Sequence, residues 1–243
     1  MIELMNISFY ILIVCLITHS SKAQIVSNEE DWSDLPVSVD PGYHNAPPSD
    51  AIVLFKGDDL SEWINIAGGD PGWKVEDGKL IVVPGSGDII TNKSFGDVQL
   101  HVEWMIPDKD YGQGNSGIYL QGRYEVQIFN SYQNDSKIYY NGQTGSLYKQ
   151  HAPLVNASRP RGKWDTFDII FTAPRFDDDC KLNAPAAFTV PHNGILVQHN
   201  TELNGMTTHE NLTKYEPHPL KQPLMIQDHG DPVQFRNIWI REL

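Results

Sequence analysis

The sequence predicts an all-β protein in which two antiparallel sheets pack face to face as a sandwich. Short apolar alternations separated by Gly, Pro, Asn and Asp recur over roughly 190 residues from Ala51 onward, which is the pattern of many short strands joined by turns. The chain contains 19 Gly, 16 Pro, 6 Trp, 10 Tyr and 9 Phe, and this composition favours strands and turns over long helices. No stretch of the sequence keeps the 3.6-residue period of an amphipathic helix beyond two turns.

Strands are expected where β-branched and aromatic residues alternate with polar ones. The Asp-Gly pair in "EDGKL" and the Asn-Gly pair in "HNGIL" each lie between apolar runs, so both predict tight hairpins. The stretch from Ile118 to Phe129 is interpreted as one alternating strand. The candidate strand segments are 51–55, 73–83, 88–92, 98–106, 116–130, 164–173, 186–198, 224–229 and 234–243.

The chain is predicted to comprise three parts. Residues 1–23 are interpreted as an export signal, because an apolar run is followed by small and polar residues that end in Ser21-Lys22-Ala23. The apolar run is shorter than the about 20 residues that a membrane-spanning helix needs, so no membrane span is expected. Residues 24–49 are interpreted as an irregular arm, and residues 50–243 as the β-sandwich domain. The mature protein is therefore expected to be periplasmic or extracellular.

The formal net charge of −13 restricts the classes of partner. An acidic surface argues against nucleic acid and anionic membranes as partners, and against an anionic polymer as the substrate. The predicted mature chain keeps one cysteine, Cys180. No internal disulfide is therefore expected, and Cys180 is interpreted as structural or incidental.

The alternation from Ile118 to Phe129 places polar side chains on one face of the predicted strand and apolar side chains on the other. Amides and carboxylates bind sugar hydroxyls, and aromatic rings cover the C–H faces of sugars. The polar face therefore suits the floor of a carbohydrate site, although a solvated sheet face is the alternative. Its members are Tyr119, Arg123, Glu125 and Gln127.

Other segments add candidates for the same site. Glu103 lies on the polar face of "VQLHVEWMI", and "QDHGDPVQFRNIW" offers Asp228 beside His229, a base with an orienting or metal-binding neighbour, and Arg236. Asn115 belongs to a Gly-Asn-Ser-Gly turn that either approaches a ligand or is simply a tight turn. A buried ion-pair partner is the alternative for Arg236. No His-x-x-x-His spacing is present, so a metal site stays open.

Several stretches resemble one family, the 3-keto-disaccharide hydrolases, also described as 3-keto-glucoside 1,2-lyases and 3-keto-2-hydroxy-glucal hydratases. The stretches "GRYEVQI" and "QDHG-x-x-x-x-FRNI" are the most diagnostic, and the resemblance covers nearly all of the chain from Leu54 to Leu243. One departure is Asn130, where the family often has Asp. The matching stretches are "FKGDDLSEW", "WKVEDGKL", "VQLHVEWMIP", "NSGIYLQGRYEVQI", "GSLYKQHAP", "WDTFDIIFTAPRF", "FTVPHNGILV" and "LMIQDHGDPVQFRNIWI".

The resemblance implies a concanavalin A-like jelly roll and an enzyme that acts on 3-keto-glycosides. A ketone at C3 acidifies the proton on C2, so a base removes that proton and the C1 substituent leaves by β-elimination. Addition of water to the product gives net hydrolysis. The hypothesis assigns Glu125 or His229 as the base and Arg123 or Arg236 to the developing oxyanion.

The remaining roles complete this hypothesis. Asp228 is expected to orient His229, while Gln127, Glu103, Tyr119 and Asn115 are expected to bind sugar hydroxyls. A divalent cation is an alternative electrophile, and no other cofactor is expected. Two rival functions stay open: a non-catalytic carbohydrate-binding module and an ordinary glycoside hydrolase. The second normally needs two carboxyl groups about 5 Å apart for a retaining mechanism, and the Glu125 strand provides only one.

Overall fold

A computed structural model of the protein describes residues 35–43, 46–108, 112–134, 137–209 and 214–243. The chain divides into two units, residues 1–38 and Val39–Leu243. In the first unit the described residues, 35–38, have no regular secondary structure. The signal peptide predicted at residues 1–23 lies outside the described residues, as does part of the arm predicted at residues 24–49.

The prediction of an all-β protein is confirmed, since strands account for 41% of the structure and helices for 3%. Among the described residues, no helix has the length and apolar character needed to cross a bilayer. The strands are β1 Ile52–Phe55, β2 Trp63–Asn65, β3 Lys74–Glu76, β4 Lys79–Ile81, β5 Ile89–Phe95, β6 Val98–Met105, β7 Ser116–Leu120, β8 Tyr124–Ile128, β9 Asp165–Thr172, β10 Arg175–Phe176, β11 Leu182–Ala184, β12 Ala187–His192, β13 Ile195–Glu202, β14 Gln222–Ile226 and β15 Gln234–Glu242.

Two large antiparallel sheets form the sandwich, as expected for a jelly roll. The larger sheet has eight strands in the order β13-β12-β9-β6-β15-β4-β3, with β1 also paired to β15. The smaller sheet has five strands in the order β2-β5-β14-β7-β8. A separate two-stranded ribbon joins β10 and β11.

The core lies between the two sheets and follows directly from the alternation of side chains. In β6 the residues Leu100, Val102 and Trp104 enter the core, so the intervening side chains point to the outer face of the larger sheet. In β8 the residues Tyr124 and Val126 enter the core, so its polar residues lie on the outer face of the smaller sheet. The polar rows of β6 and β8 therefore lie on opposite sides of the sandwich.

The hairpins predicted from Asp-Gly and Asn-Gly are confirmed. β3 pairs with β4 through Asp77 (φ 51°) and Gly78 (φ 74°). β12 pairs with β13 through Asn193 (φ 53°) and Gly194 (φ 78°). Both turns place two successive residues in the left-handed region, as a type I′ turn requires.

The prediction of one continuous strand over 118–129 is wrong, because the chain reverses within it. β7 and β8 form a hairpin in which Leu120 pairs with Tyr124, and the turn between them has Gln121 at φ 57° and Gly122 at φ 62°. Gln rarely adopts a positive φ, so the sequence lacks the usual turn signal. The reversal makes Tyr119 the direct cross-strand neighbour of Glu125.

Candidate active site

A small polar cavity of about 200 Å³ opens on the outer face of the five-stranded sheet. The hairpin β7–β8 forms part of its wall, and the segment after β14 and two loops complete it. It is lined by Asn115, Tyr119, Glu125, Gln127, Tyr148, Thr207, Thr208, His209, Gln227 and His229. Five of the predicted site residues meet here, namely Glu125, His229, Gln127, Tyr119 and Asn115.

Glu125 is buried at the base of this cavity, with 2% of its surface exposed. Its position depends on Gly117 in the neighbouring strand, because a Cβ on Gly117 would lie 2.3 Å from Glu125 Oε1. The backbone N–H of Glu125 donates to Thr207 Oγ1 at 3.1 Å. With the amide of Gln127 assigned in the orientation that satisfies its neighbours, its nitrogen donates to Glu125 Oε1 at 2.8 Å and to the Ser116 carbonyl at 3.2 Å. Glu125 is thus fixed between two strands.

Burial raises the pKa of Glu125 to about 8, although a hydrogen bond from Tyr119 partly opposes this effect. Burial and the negative charge of Glu125 in turn raise the pKa of Tyr119, so the phenol keeps its proton. Gln227 Nε2 donates to the Tyr119 hydroxyl at 3.3 Å. The site therefore holds a carboxyl group that titrates near pH 8. Neutral hydrogen-bond donors surround this group.

His229 lies in the turn after β14 and is exposed at the mouth of the cavity. The predicted orienting role of Asp228 is not supported, because its carboxylate accepts hydrogen bonds from the N–H groups of Gly87 (3.0 Å) and Gly230 (2.9 Å). Asp228 therefore stabilises the turn that carries His229. Asp88 lies close enough to His229 to interact with it electrostatically: burial raises the pKa of Asp88, while the hydrogen bond from the Asp228 N–H and the proximity of His229 partly lower it.

The structure corrects the grouping of Arg123 with Glu125. Arg123 is the last residue of the β7–β8 turn, and it does not line the cavity. Its carbonyl accepts a hydrogen bond from Thr207 N at 2.8 Å, and its positive charge acts on His218 and Tyr124 instead. The single-strand interpretation placed it beside Glu125 only because it overlooked the turn.

The structure also separates Glu103 and Arg236 from the cavity, since both lie on the outer face of the larger sheet. Arg236 Nε donates to Glu103 Oε2 at 2.6 Å, and its guanidinium group stacks over Trp164 at 4.1 Å from the ring centroid. His101 lies 3.7 Å from Glu103 Oε1. The alternative interpretation of Arg236 as a buried ion-pair partner is therefore right about the ion pair but wrong about burial, because Arg236 itself is exposed.

Comparison with a family profile and with solved structures shows the family of the chain. A family profile described as a 3-keto-alpha-glucoside-1,2-lyase-like domain matches residues 50–241. The chain belongs to this family. A "putative glycosyl hydrolase" from Parabacteroides distasonis, known from its crystal structure, is 44% identical to the chain with a TM-score of 0.84, and the match covers 88% of this chain and 94% of that one.

A second "putative glycosyl hydrolase" from Parabacteroides distasonis is 23% identical with a TM-score of 0.60, covers 80% of this chain and 94% of that one, and shares the fold. No curated protein matches the chain significantly. Family membership and the first crystal structure together support a carbohydrate-active enzyme.

The predicted site omitted five residues that line the cavity of this 3-keto-alpha-glucoside-1,2-lyase-like domain: Gln227, which directly follows β14, and four loop residues. Tyr148 follows Leu147, which forms a bridge to Val126 and so extends the edge of β8. The stretch "GSLYKQHAP" contains Tyr148 and was the available signal. Residues 207–209, Thr-Thr-His, carry no pattern that distinguishes them from an ordinary loop.

The chemistry available to this 3-keto-alpha-glucoside-1,2-lyase-like domain follows from the lining. Among the described residues that line the cavity, Glu125 is the only one with a carboxyl group, and none is Lys or Arg. The cavity thus offers an uncharged polar ligand one carboxyl group, two histidines, and several amides and hydroxyls. Within the described residues, no group of three or more His, Cys, Asp or Glu side chains is arranged to hold a metal ion.

Proposed function

We propose that the chain is an exported enzyme that cleaves 3-keto-glycosides by abstracting the C2 proton and eliminating the C1 substituent. Hydration of the resulting enol ether completes a net hydrolysis. The observation that carries the proposal is the buried Glu125 carboxyl, with a pKa raised to about 8, inside a cavity of about 200 Å³ that it shares with His229. A cavity of this size suits one sugar ring.

Glu125 is the base in this proposal. Removal of a proton next to a ketone is faster with a base stronger than an ordinary carboxylate, and the raised pKa of Glu125 makes it one. The electron pair left on C2 delocalises onto the C3 oxygen as an enolate. His229 and the amide of Gln227, which both line the cavity, are the donors assigned to this oxygen. A divalent cation stays in the proposal as an alternative electrophile.

The proposal is tested by incubating the protein with a 3-keto-glucoside beside its parent glucoside, in D2O and with or without a chelator. We expect release of the aglycone and deuterium exchange at C2 for the keto sugar alone. Cleavage of the parent glucoside would favour an ordinary glycoside hydrolase instead. Saturable binding without product would favour a non-catalytic binding module, and loss of turnover with chelator would assign the electrophile to a metal.

Replacing Gly117 by alanine is expected to lower kcat for the keto sugar by about 10²-fold, because the new methyl group displaces the Glu125 carboxyl. The matched control is Gly96→Ala, whose Cβ would meet its nearest neighbour at an ordinary 3.5 Å. Steady-state kinetics and thermal melts of both variants check the prediction. An unchanged kcat in Gly117→Ala would show that the position of Glu125 is not critical.

A further inference from the structure

A hydrogen-bonded row of side chains joins the Glu125 cavity to solvent. The Tyr148 hydroxyl lies 2.9 Å from the Tyr139 hydroxyl and 3.2 Å from His209 Nδ1. Tyr148 and His209 line the cavity, while Tyr139 lies outside it and is 48% exposed. The rings of Tyr148 and His209 are also stacked, with 6.4 Å between their centroids. The row therefore begins beside the buried carboxyl and ends at the surface.

The backbone holds this row in place. Lys149 has φ 59°, and its N–H donates to the Asn141 carbonyl at 2.8 Å while Asn141 Nδ2 donates to its carbonyl at 3.0 Å. These bonds tie the turn that carries Tyr139 to the segment that carries Tyr148. A Cβ on Gly142 would lie 2.5 Å from Tyr139 Cε2, so the Tyr139 ring rests directly on the Gly142 backbone.

Tyr148 is suited to donate a proton. Burial raises its pKa, and the bond to Tyr139 and the negative charge of Glu125 add to this effect. The phenol is therefore neutral in the resting site and keeps its proton until a stronger base forms beside it. An alkoxide that leaves C1 of a sugar is such a base.

The reaction proposed above needs a second group for this step. Glu125 takes the C2 proton in the first step, which leaves the protonation of the departing oxygen in the second step to another group. Tyr148 is half-buried and His209 is exposed, so a C1 substituent that extends from the cavity toward solvent on this side would pass them. Resting on the proposed function, we propose that Tyr148 is the catalytic acid that protonates the leaving group, and that the Tyr139–Tyr148–His209 row forms the subsite for the aglycone.

The step balances without an external reagent. The C2–H bond breaks first: its proton passes to Glu125, and the electron pair forms the enolate with its charge on the C3 oxygen. In the second step the C3=O bond re-forms, the pair becomes the C1=C2 double bond, and the C1–O bond breaks. The leaving oxygen takes the Tyr148 hydroxyl proton. The phenolate regains a proton from His209, which is exposed and exchanges with water.

The test is a leaving-group series of 3-keto-glucosides, from nitrophenols to simple alcohols and sugars, measured with Tyr148→Phe, Tyr139→Phe and His229→Gln. For Tyr148→Phe we expect kcat/KM to fall by about 10²–10³-fold with alcohol leaving groups, which need protonation, and by less than about 5-fold with nitrophenols, which do not. For Tyr139→Phe we expect a small and uniform fall.

A second readout keeps the test independent of folding. In D2O, Tyr148→Phe should still exchange the C2 proton, because Glu125 is intact, while elimination of an alcohol is slow. An equal loss for all leaving groups, or a leaving-group dependence found in His229→Gln instead, would overturn the assignment of Tyr148. Absence of turnover by the unaltered protein would overturn the proposed function and this assignment with it.

Discussion

Replacing Glu125 by glutamine is expected to lower kcat for a 3-keto-glucoside by about 10³-fold, because the amide cannot accept the C2 proton. The variant should also lose deuterium exchange at C2, which separates it from a change in the leaving-group step. For the unaltered protein, kcat/KM should rise with pH through about 8, since Glu125 acts only when ionised and its pKa is about 8. Steady-state rates between pH 6 and pH 10 check both expectations.

The same substitution should stabilise the fold, and the sign follows from proton binding. Burial raises the pKa of Glu125 from 4.5 to about 8, so between these values the unfolded chain releases a proton that the folded chain retains. The stability of the unaltered protein is therefore full below pH 4.5 and falls as pH rises through about 8. At about 1.4 kcal/mol for each pH unit, the loss reaches on the order of 5 kcal/mol.

The glutamine variant lacks this titration, so its advantage in stability should widen from pH 5 to pH 9. Urea unfolding at both pH values measures the difference. Glu202→Gln provides the matched control, because Glu202 is exposed. Full activity in Glu125→Gln would remove Glu125 as the base, and a stability difference that does not change with pH would contradict the raised pKa.

The sequence was most informative where local geometry has a strong chemical signature. The pairs Asp77-Gly78 and Asn193-Gly194 predicted their hairpins correctly, because few residue pairs adopt two successive positive φ angles. The turn at Gln121-Gly122 was missed because Gln adopts that conformation only where the surrounding sheet imposes it. The alternation still separated core from surface correctly, since Tyr119 and Glu125 both remain on the outer face on either side of the turn.

Long-range placement was the part that the sequence could not provide. Glu103 and Arg236 alternate with core residues just as Glu125 does, but periodicity does not tell which sheet a strand joins. The loop residues Tyr148 and His209 reach the cavity through contacts made far along the chain. A row of polar side chains on one strand therefore predicts the outer face of a sheet. Only the fold shows which of these rows lie beside one another in one site.

A second large effect is expected on the opposite side of the sandwich, where Glu103→Gln should destabilise the protein by about 3 kcal/mol. Glu103 is 6% exposed, and it accepts hydrogen bonds from Arg236 Nε (2.6 Å) and Asn237 Nδ2 (3.0 Å). His101 is 4% exposed and lies 2.7 Å from Asp168. The substitution removes the second carboxylate beside this buried histidine. Turnover of a 3-keto-glucoside should be unchanged, since Glu103 does not line the cavity.

The pH dependence identifies the cause of this effect. Burial lowers the pKa of His101, but hydrogen bonds and charges from Asp168 and Glu103 outweigh burial and raise the pKa to about 9. The stability that protonated His101 contributes is therefore full below pH 6.5 and is lost as pH rises through about 9. For Glu103, burial raises the pKa, but hydrogen bonds from His101, Asn237 and Arg236 outweigh burial and lower the pKa to about 2. The stability that ionised Glu103 contributes is therefore lost as pH falls from 4.5 toward 2. The difference between the unaltered protein and Glu103→Gln should therefore be greatest between about pH 4.5 and 6.5. If Glu103→Gln instead folded with normal stability but lost turnover of the 3-keto-glucoside, the assignment of Glu103 to a structural role would be wrong.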